Sequence, residues 1–169
     1  MLGALALVAA LGAIGTSACS NTITVDLNID TVKKPVDSIP KAITVAFAGG
    51  TVRAELATLS AQRSTGLMNR SSIAADSGMI FVWANDQQNY QVTGFWMMNT
   101  HFDLDVAFLD ASKRVINIEG MTKETTNIHY ATAPYRYAVE APRGWYASHG
   151  VAAGAIATFT IPAGVIIDP

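Results

Sequence analysis

From Ile43 to Ile161 the chain is a succession of short apolar runs, each cut by Gly, Pro, Asn or Asp before a helical period is established. This punctuation constrains the fold most. Half-buried strands need only about four to eight alternating residues, whereas a packed helix needs a sustained 3.6-residue period. Ile43–Phe47 and Val52–Ala57 alternate around a Gly49-Gly50 hairpin turn. Met79–Trp83, opened by Gly78, reads as a buried strand, and Phe95–Met98 as another. Asp105–Leu109 and Arg114–Glu119 predict a hairpin around Asp110–Lys113. In Tyr135–Glu140 the pattern puts Tyr135, Tyr137 and Val139 on one face, opposite Arg136, Ala138 and Glu140. Ala155–Ile161 is expected to close the sheet, while Asn85–Gln91 and Met121–Pro134 read as loops. Two short helices are expected. One covers Ala61–Asn69, capped by Ser60 with Leu59 as a staple, and the other runs from Pro142 to Gly150. The predicted fold is α+β: a compact, β-rich single domain with a mostly antiparallel curled sheet or partial barrel and two short helices.

The N-terminus carries a different message. Leu2–Ile14 is an unbroken run of Leu, Ala, Val, Ile and Gly, too short to cross about 30 Å of hydrocarbon comfortably, as in a signal-peptide core. Thr16-Ser17-Ala18 then precedes Cys19, the single cysteine of the chain. Cleavage before Cys19 and acylation of its thiol would make a bacterial lipoprotein. Simple secretion after Ala18 and an uncleaved anchor are the alternatives, and Thr16 stands where lipoprotein signals usually have Leu. No Lys or Arg precedes the run, which leaves open a start upstream of Met1. The expected organisation is a signal peptide over 1–18, a lipidated tether over 19–41 ending in Pro35 and Pro40, and the folded domain over 42–169.

Composition narrows the function. Of 169 residues half are hydrophobic and 14% charged, which supports a real core, and the net charge is −2. No basic tract stands out, so nucleic acid is not an expected partner. One cysteine excludes an intramolecular disulfide and a thiolate zinc site within the chain. No metal or other cofactor is called for. A Cu(I) reading of Met68, Met79, Met97, Met98 and Met121 is disfavoured, because Met68, Met79 and Met97 sit in apolar strings and His101, His129 and His149 are far apart in sequence.

Two segments place polar side chains among core-forming ones: Arg63-Ser-Thr-Gly-Leu-Met-Asn-Arg70, and Gly94-Phe-Trp-Met-Met-Asn-Thr100 followed by Leu104-Asp105. Together with Gly78-Met79-x-Phe81-Val82, Phe108-Leu109-Asp110, and Glu140 with Gly144, these motifs resemble domain-of-unknown-function family 192. That family comprises small prokaryotic proteins, many exported or membrane-attached, and the resemblance covers roughly Val52 to Ile161. It implies a compact β-rich α+β domain and supplies no activity. Two departures stand out: Met98 where the family often has Lys, and Asp103 where it often has Pro.

The residues themselves suggest sites, each with a structural alternative. Arg63 and Arg70 are seven apart, nearly two helical turns. Both would then point to one side across Gly66, a face suited to a carboxylate or phosphate. The structural alternative pairs them with Asp105 and Glu140. Asn99 and Thr100 are candidate ligand hydrogen-bonding groups beside Asp105, or simply turn formers. Asp105 with Glu140 is the candidate acid/base pair. Trp96 and Trp145 are candidate pocket walls or core. The leading expectation is therefore an exported, membrane-anchored envelope lipoprotein without catalysis. Its domain would bind a small anionic or polar ligand, or an envelope partner protein, through Arg63, Arg70, Trp96, Asn99, Thr100, Asp105 and Trp145. A small hydrolase or lyase using Asp105 and Glu140 is the runner-up, and a purely structural envelope component the third reading.

Overall fold

The computed structural model describes residues 41–169. The signal, Cys19 and tether expectations lie outside those residues. Six strands form one mixed, open sheet in the order β1-β2-β3-β6-β4-β5. They are β1 (Ala42–Phe47), β2 (Gly50–Ala57), β3 (Ser77–Gln87), β4 (Leu104–Leu109), β5 (Val115–Met121) and β6 (Tyr135–Pro142). Two short helices complete the domain, α1 (Ser60–Thr65) and α2 (Trp145–Ser148). Only β2 and β3 run parallel, joined through α1; the remaining neighbours are antiparallel. The β-rich α+β reading therefore holds, as do the β1–β2 and β4–β5 hairpins.

Phe47 pairs with Gly50, so the first hairpin turns on Ala48-Gly49. Glycine is required there by crowding: a Cβ on Gly49 would lie 1.8 Å from the His149 carbonyl oxygen. The chain thereby brings the end of α2 down onto the hairpin.

Each face of the sheet carries its own core, as the two-residue strand period demands. One face buries Val45, Val52, Ile80, Val82, Ala107, Leu109 and Val139 beneath Trp145 and Tyr146 of α2. The other buries Phe81, Met97, Leu104, Val106, Phe108, Met121 and Tyr135. On this second face Phe95 meets Phe81 and Phe108 edge-on, at centroid distances of 4.9 and 5.4 Å. Such tilted contacts add about 0.5–1.5 kcal/mol each beyond area burial.

Several local expectations change, and β3 itself runs on to Gln87, into the expected Asn85–Gln91 loop. Phe95–Met98 is not a strand; Phe95 makes an isolated bridge to His129, and its ring, rather than its backbone, joins the core. Ala155–Ile161 is not one either. It makes single bridges from Thr158 to Ala46 and from Ile156 to Arg114. It thus touches β1 at one edge of the sheet and the β4–β5 connection at the other, as a curled sheet allows. Ser60 does not cap α1 but begins it, its amide bonded to Asp168 Oδ2, while Gln62 Oε1 accepts the Thr58 and Leu59 amides. Finally, an irregularity in the β3–β6 register between Val82 and Gln87 swings Tyr135 onto the opposite face from Tyr137 and Val139.

Candidate functional site

The register places Glu140 in the interior. Met79 of β3 pairs with Glu140, which pairs in turn with Val106 of β4. Glu140 therefore shares the second-core face with its two apolar neighbours. Only 5% of its surface is exposed, and its Oε2 has no hydrogen-bond partner among the described residues. Burial alone pushes its carboxyl up to about 8, so near neutral pH the group is mostly an uncharged acid.

Above this residue lies a cleft of about 330 Å³, towards the small end of ligand sites, which run from about 300 to 1,000 Å³. Glu140 and Phe81 line it together with Arg63, Ser64 and Thr65 of α1, Gly66–Met68, Thr93–Trp96 and Thr100. Trp83 and Gln87 of β3, with Tyr135 of β6, line it further along. Gly66, at φ 50°, ends α1, and a Cβ there would stand 3.4 Å from the Phe81 ring, so the absent side chain keeps the cleft open over that ring. Burial pushes the Tyr135 phenol up, against the opposing pull of Thr93 and Arg63.

Arg63 lines the cleft but is already engaged. Its Nη1 donates to the carbonyls of Thr58 and Val82 at 2.6 and 3.0 Å, and Nη2 to Pro169 O at 2.7 Å. The guanidinium lies 5.2 Å over the Trp83 ring. Desolvation lowers its pKa, opposed by Asp168 and Tyr135.

Arg70 is elsewhere. α1 stops at Thr65, so the expected two-turn helical face does not exist. Arg70 instead forms a bidentate pair with Glu55, at 2.5 and 2.9 Å. The Arg70 pair lowers the Glu55 carboxyl against desolvation. This pair borders a second, larger cavity of about 630 Å³ that shares only Thr65 and Gly66 with the first. Neither arginine pairs with Asp105 or Glu140, contrary to the structural alternative drawn from sequence.

Asp105 is also separated from Glu140. It pairs with Ala141 and Gly120, so it faces the first core while Glu140 faces the second. Its Oδ2 accepts the Gly144 amide at 2.7 Å, and Arg143 Nε stands 3.3 Å from Oδ1. Burial raises its pKa against both partners. Gly120 makes room for this contact, since a Cβ there would fall 2.5 Å from the Arg143 guanidinium carbon. The acid/base pair is thus divided by the sheet itself.

Trp145 lies on Asp105's side, 4% exposed, its Nε1 donating to Asp76 at 2.9 Å. It does not line the cleft. Trp96 does, and is 42% exposed. Thr100 lines it too and is buried. Asn99 is an exposed turn residue at φ 57°, its carbonyl accepting the Asn69 amide at 2.7 Å. Asp103 accepts the Lys123 amide and so fastens the Met121–Pro134 loop. Of the sequence candidates, the cleft gathers Arg63, Trp96, Thr100 and Glu140. Sequence reasoning missed Phe81, Trp83, Thr93 and Tyr135. The signal for Tyr135 was erased by the register irregularity, and for the others no local feature separates a cleft-lining aromatic or hydroxyl from core or loop.

The family model for domain-of-unknown-function family 192 (DUF192, Uncharacterized ACR) matches residues 43–159. The chain belongs to that family. No curated protein is significantly similar to it. Two solved structures resemble this DUF192 domain. One is a proposed transcription regulator from Sinorhizobium meliloti 1021, 28% identical with a TM-score of 0.63, covering 72% of this chain and 95% of that one. The other is a protein of unknown function from Novosphingobium aromaticivorans DSM 12444, 30% identical with a TM-score of 0.60, covering 69% and 83% respectively.

Proposed function

We propose that this DUF192 domain is a binding module for a small polar ligand, held in the cleft above Glu140. The observation that carries this reading is the Glu140 carboxyl: interior, facing the cleft, and unpartnered at Oε2 among the described residues. A buried polar group without a partner is costly, about 1–3 kcal/mol, and a ligand hydrogen bond would remove that cost. Catalysis by Asp105 with Glu140 loses its support, because the two carboxyls face opposite sides of the sheet. A role on DNA, by analogy with the Sinorhizobium relative, finds no electrostatic support in a chain of net charge −2.

Thermal unfolding of the full-length protein against sugars, amines, carboxylates, phosphates and cell-wall fragments tests the reading. A ligand at 100 times its Kd adds about 2.7 kcal/mol, worth several degrees in Tm. The expected result is a shift with one chemical class that is lost in Glu140→Gln. No shift with any class, or a shift untouched by that substitution, contradicts the proposal.

The same reading places the domain on an exported chain anchored in the bacterial envelope by acylation of Cys19. It is supported by the Leu2–Ile14 run and the position of the sole cysteine. Globomycin should cause the precursor to accumulate, and the acyl mass should vanish in Cys19→Ser. A mature protein of unmodified mass, insensitive to globomycin, contradicts it.

A further inference from the structure

We infer that the ligand class of the cleft is a neutral saccharide, with one ring stacked on Trp96 and a hydroxyl hydrogen-bonded to Glu140. This deepens the binding-module reading and rests on it. Three observations select the class. First, the cleft offers little to an anion. The Arg63 guanidinium is taken up by the carbonyls of Thr58, Val82 and Pro169, and Arg70 lies in the other cavity, bidentate to Glu55. Second, it offers little to an amine, because Arg63 already covers the Trp83 face at 5.2 Å and would repel a second cation. Third, what remains is hydroxyl-rich and aromatic. Ser64 and Thr100 line the cleft beside Trp96, with Thr65 and Thr93, whose hydroxyls donate to the Ala61 and Asn89 carbonyls and keep their acceptor lone pairs for a ligand.

This combination matches the chemistry of a pyranose, which presents an apolar C–H face and a rim of hydroxyls that both donate and accept. A protonated carboxyl is the complementary partner, one O–H donor beside one carbonyl acceptor, whereas a carboxylate only accepts. An indole face supplies the apolar platform at little entropic cost. Access is open: Trp96 is 42% and Tyr130 39% exposed. Tyr130 packs beside Gly94 at the same margin, its ring 3.0 Å from where a Gly94 Cβ would stand.

Isothermal titration of the full-length protein with cellotriose, maltotriose and chitotriose, and separately with putrescine and citrate, decides the matter. The result expected is binding of at least one saccharide, weakened roughly tenfold or more in Trp96→Ala, about 1.4 kcal/mol. Arg70→Met, outside the cleft, should leave that binding unchanged. The saccharide heat should be the same in buffers of low and high ionisation enthalpy, because a neutral ligand leaves Glu140 protonated. Proton release would accompany a cation. Binding of putrescine or citrate instead, sensitive to Glu140→Gln, overturns the saccharide class and leaves the binding-module reading standing. Saccharide binding indifferent to Trp96→Ala overturns the stacking geometry and with it the inference. Absence of binding by all five probes overturns it too, and the wider thermal screen then decides the parent reading separately.

Discussion

Glu140 is an uncharged acid when folded and an ordinary carboxyl when unfolded, and the difference has a sign. Its folded pKa of about 8 lies above the unfolded value of 4.5. Below pH 4.5 both states hold the proton and stability is full; as pH rises from 4.5 to 8 the unfolded chain releases its proton first, and stability falls. Each tenfold difference in proton affinity is worth about 1.4 kcal/mol, so the total loss amounts to several kcal/mol. Urea unfolding of the wild type and Glu140→Gln at several pH values isolates this effect, since Asp105 titrates in both proteins. The wild type should lose ground to the variant steadily towards pH 8; parallel curves would contradict the account. The two arginines should differ as well. Arg63→Met removes charge-assisted bonds to carbonyls and a stacked cation, and should destabilise by about 2–3 kcal/mol in chemical denaturation. Arg63→Lys should not restore this, because an ammonium cannot span the same fork. Arg70 and Glu55 are more than a third exposed. Arg70→Met should therefore cost under about 1 kcal/mol despite the bidentate geometry, and a larger loss would mean the pair is less hydrated than it stands here.

Elements were legible in proportion to how locally they are determined. The β1–β2 hairpin and the β4–β5 hairpin announce themselves through alternation and turn residues, and both form. Phe95–Met98 misleads because an apolar run says that residues are buried, not how. Phe95 reaches the core from a loop, held by reciprocal bonds between its backbone and that of His129. α1 falls short of the Ala61–Asn69 expectation because Gly66 turns the chain, and with the lost turn goes the two-arginine face. The hairpin also depends on a distant element. Gly49→Ala would drive a Cβ into the His149 carbonyl, forcing α2 off the hairpin and loosening the Phe47–Tyr146 contact, now 5.7 Å between centroids. A loss of about 1–3 kcal/mol is expected, as for other overpacked sites. Thermal unfolding measures it, and an unchanged Tm would mean the turn relaxes without α2.

At the scale of the whole molecule, the sheet decides which residues can act together. Period-two alternation within a strand was readable, and it correctly gave Glu140 and Ala138 one face. The register between strands was not, and a one-residue slip reverses every side chain. That is why Asp105 and Glu140 looked like partners in the sequence, while the fold sets one against Arg143 and Gly144 and leaves the other alone beneath the cleft. A glutamate inside the otherwise apolar Val139-Glu140-Ala141 stretch was itself a visible signal of an unusual interior group. What it faces was fixed only by β3, β4 and α1 arriving from distant parts of the chain.

The most direct test of this account is a site-specific titration of the Glu140 carboxyl by carbon NMR, assigned by its absence in Glu140→Gln. The expected midpoint is near 8, as burial without a partner requires. A midpoint near the ordinary 4.5 would mean a hydrated or ion-paired carboxylate. The cleft would then have no unpartnered acid for a ligand to satisfy.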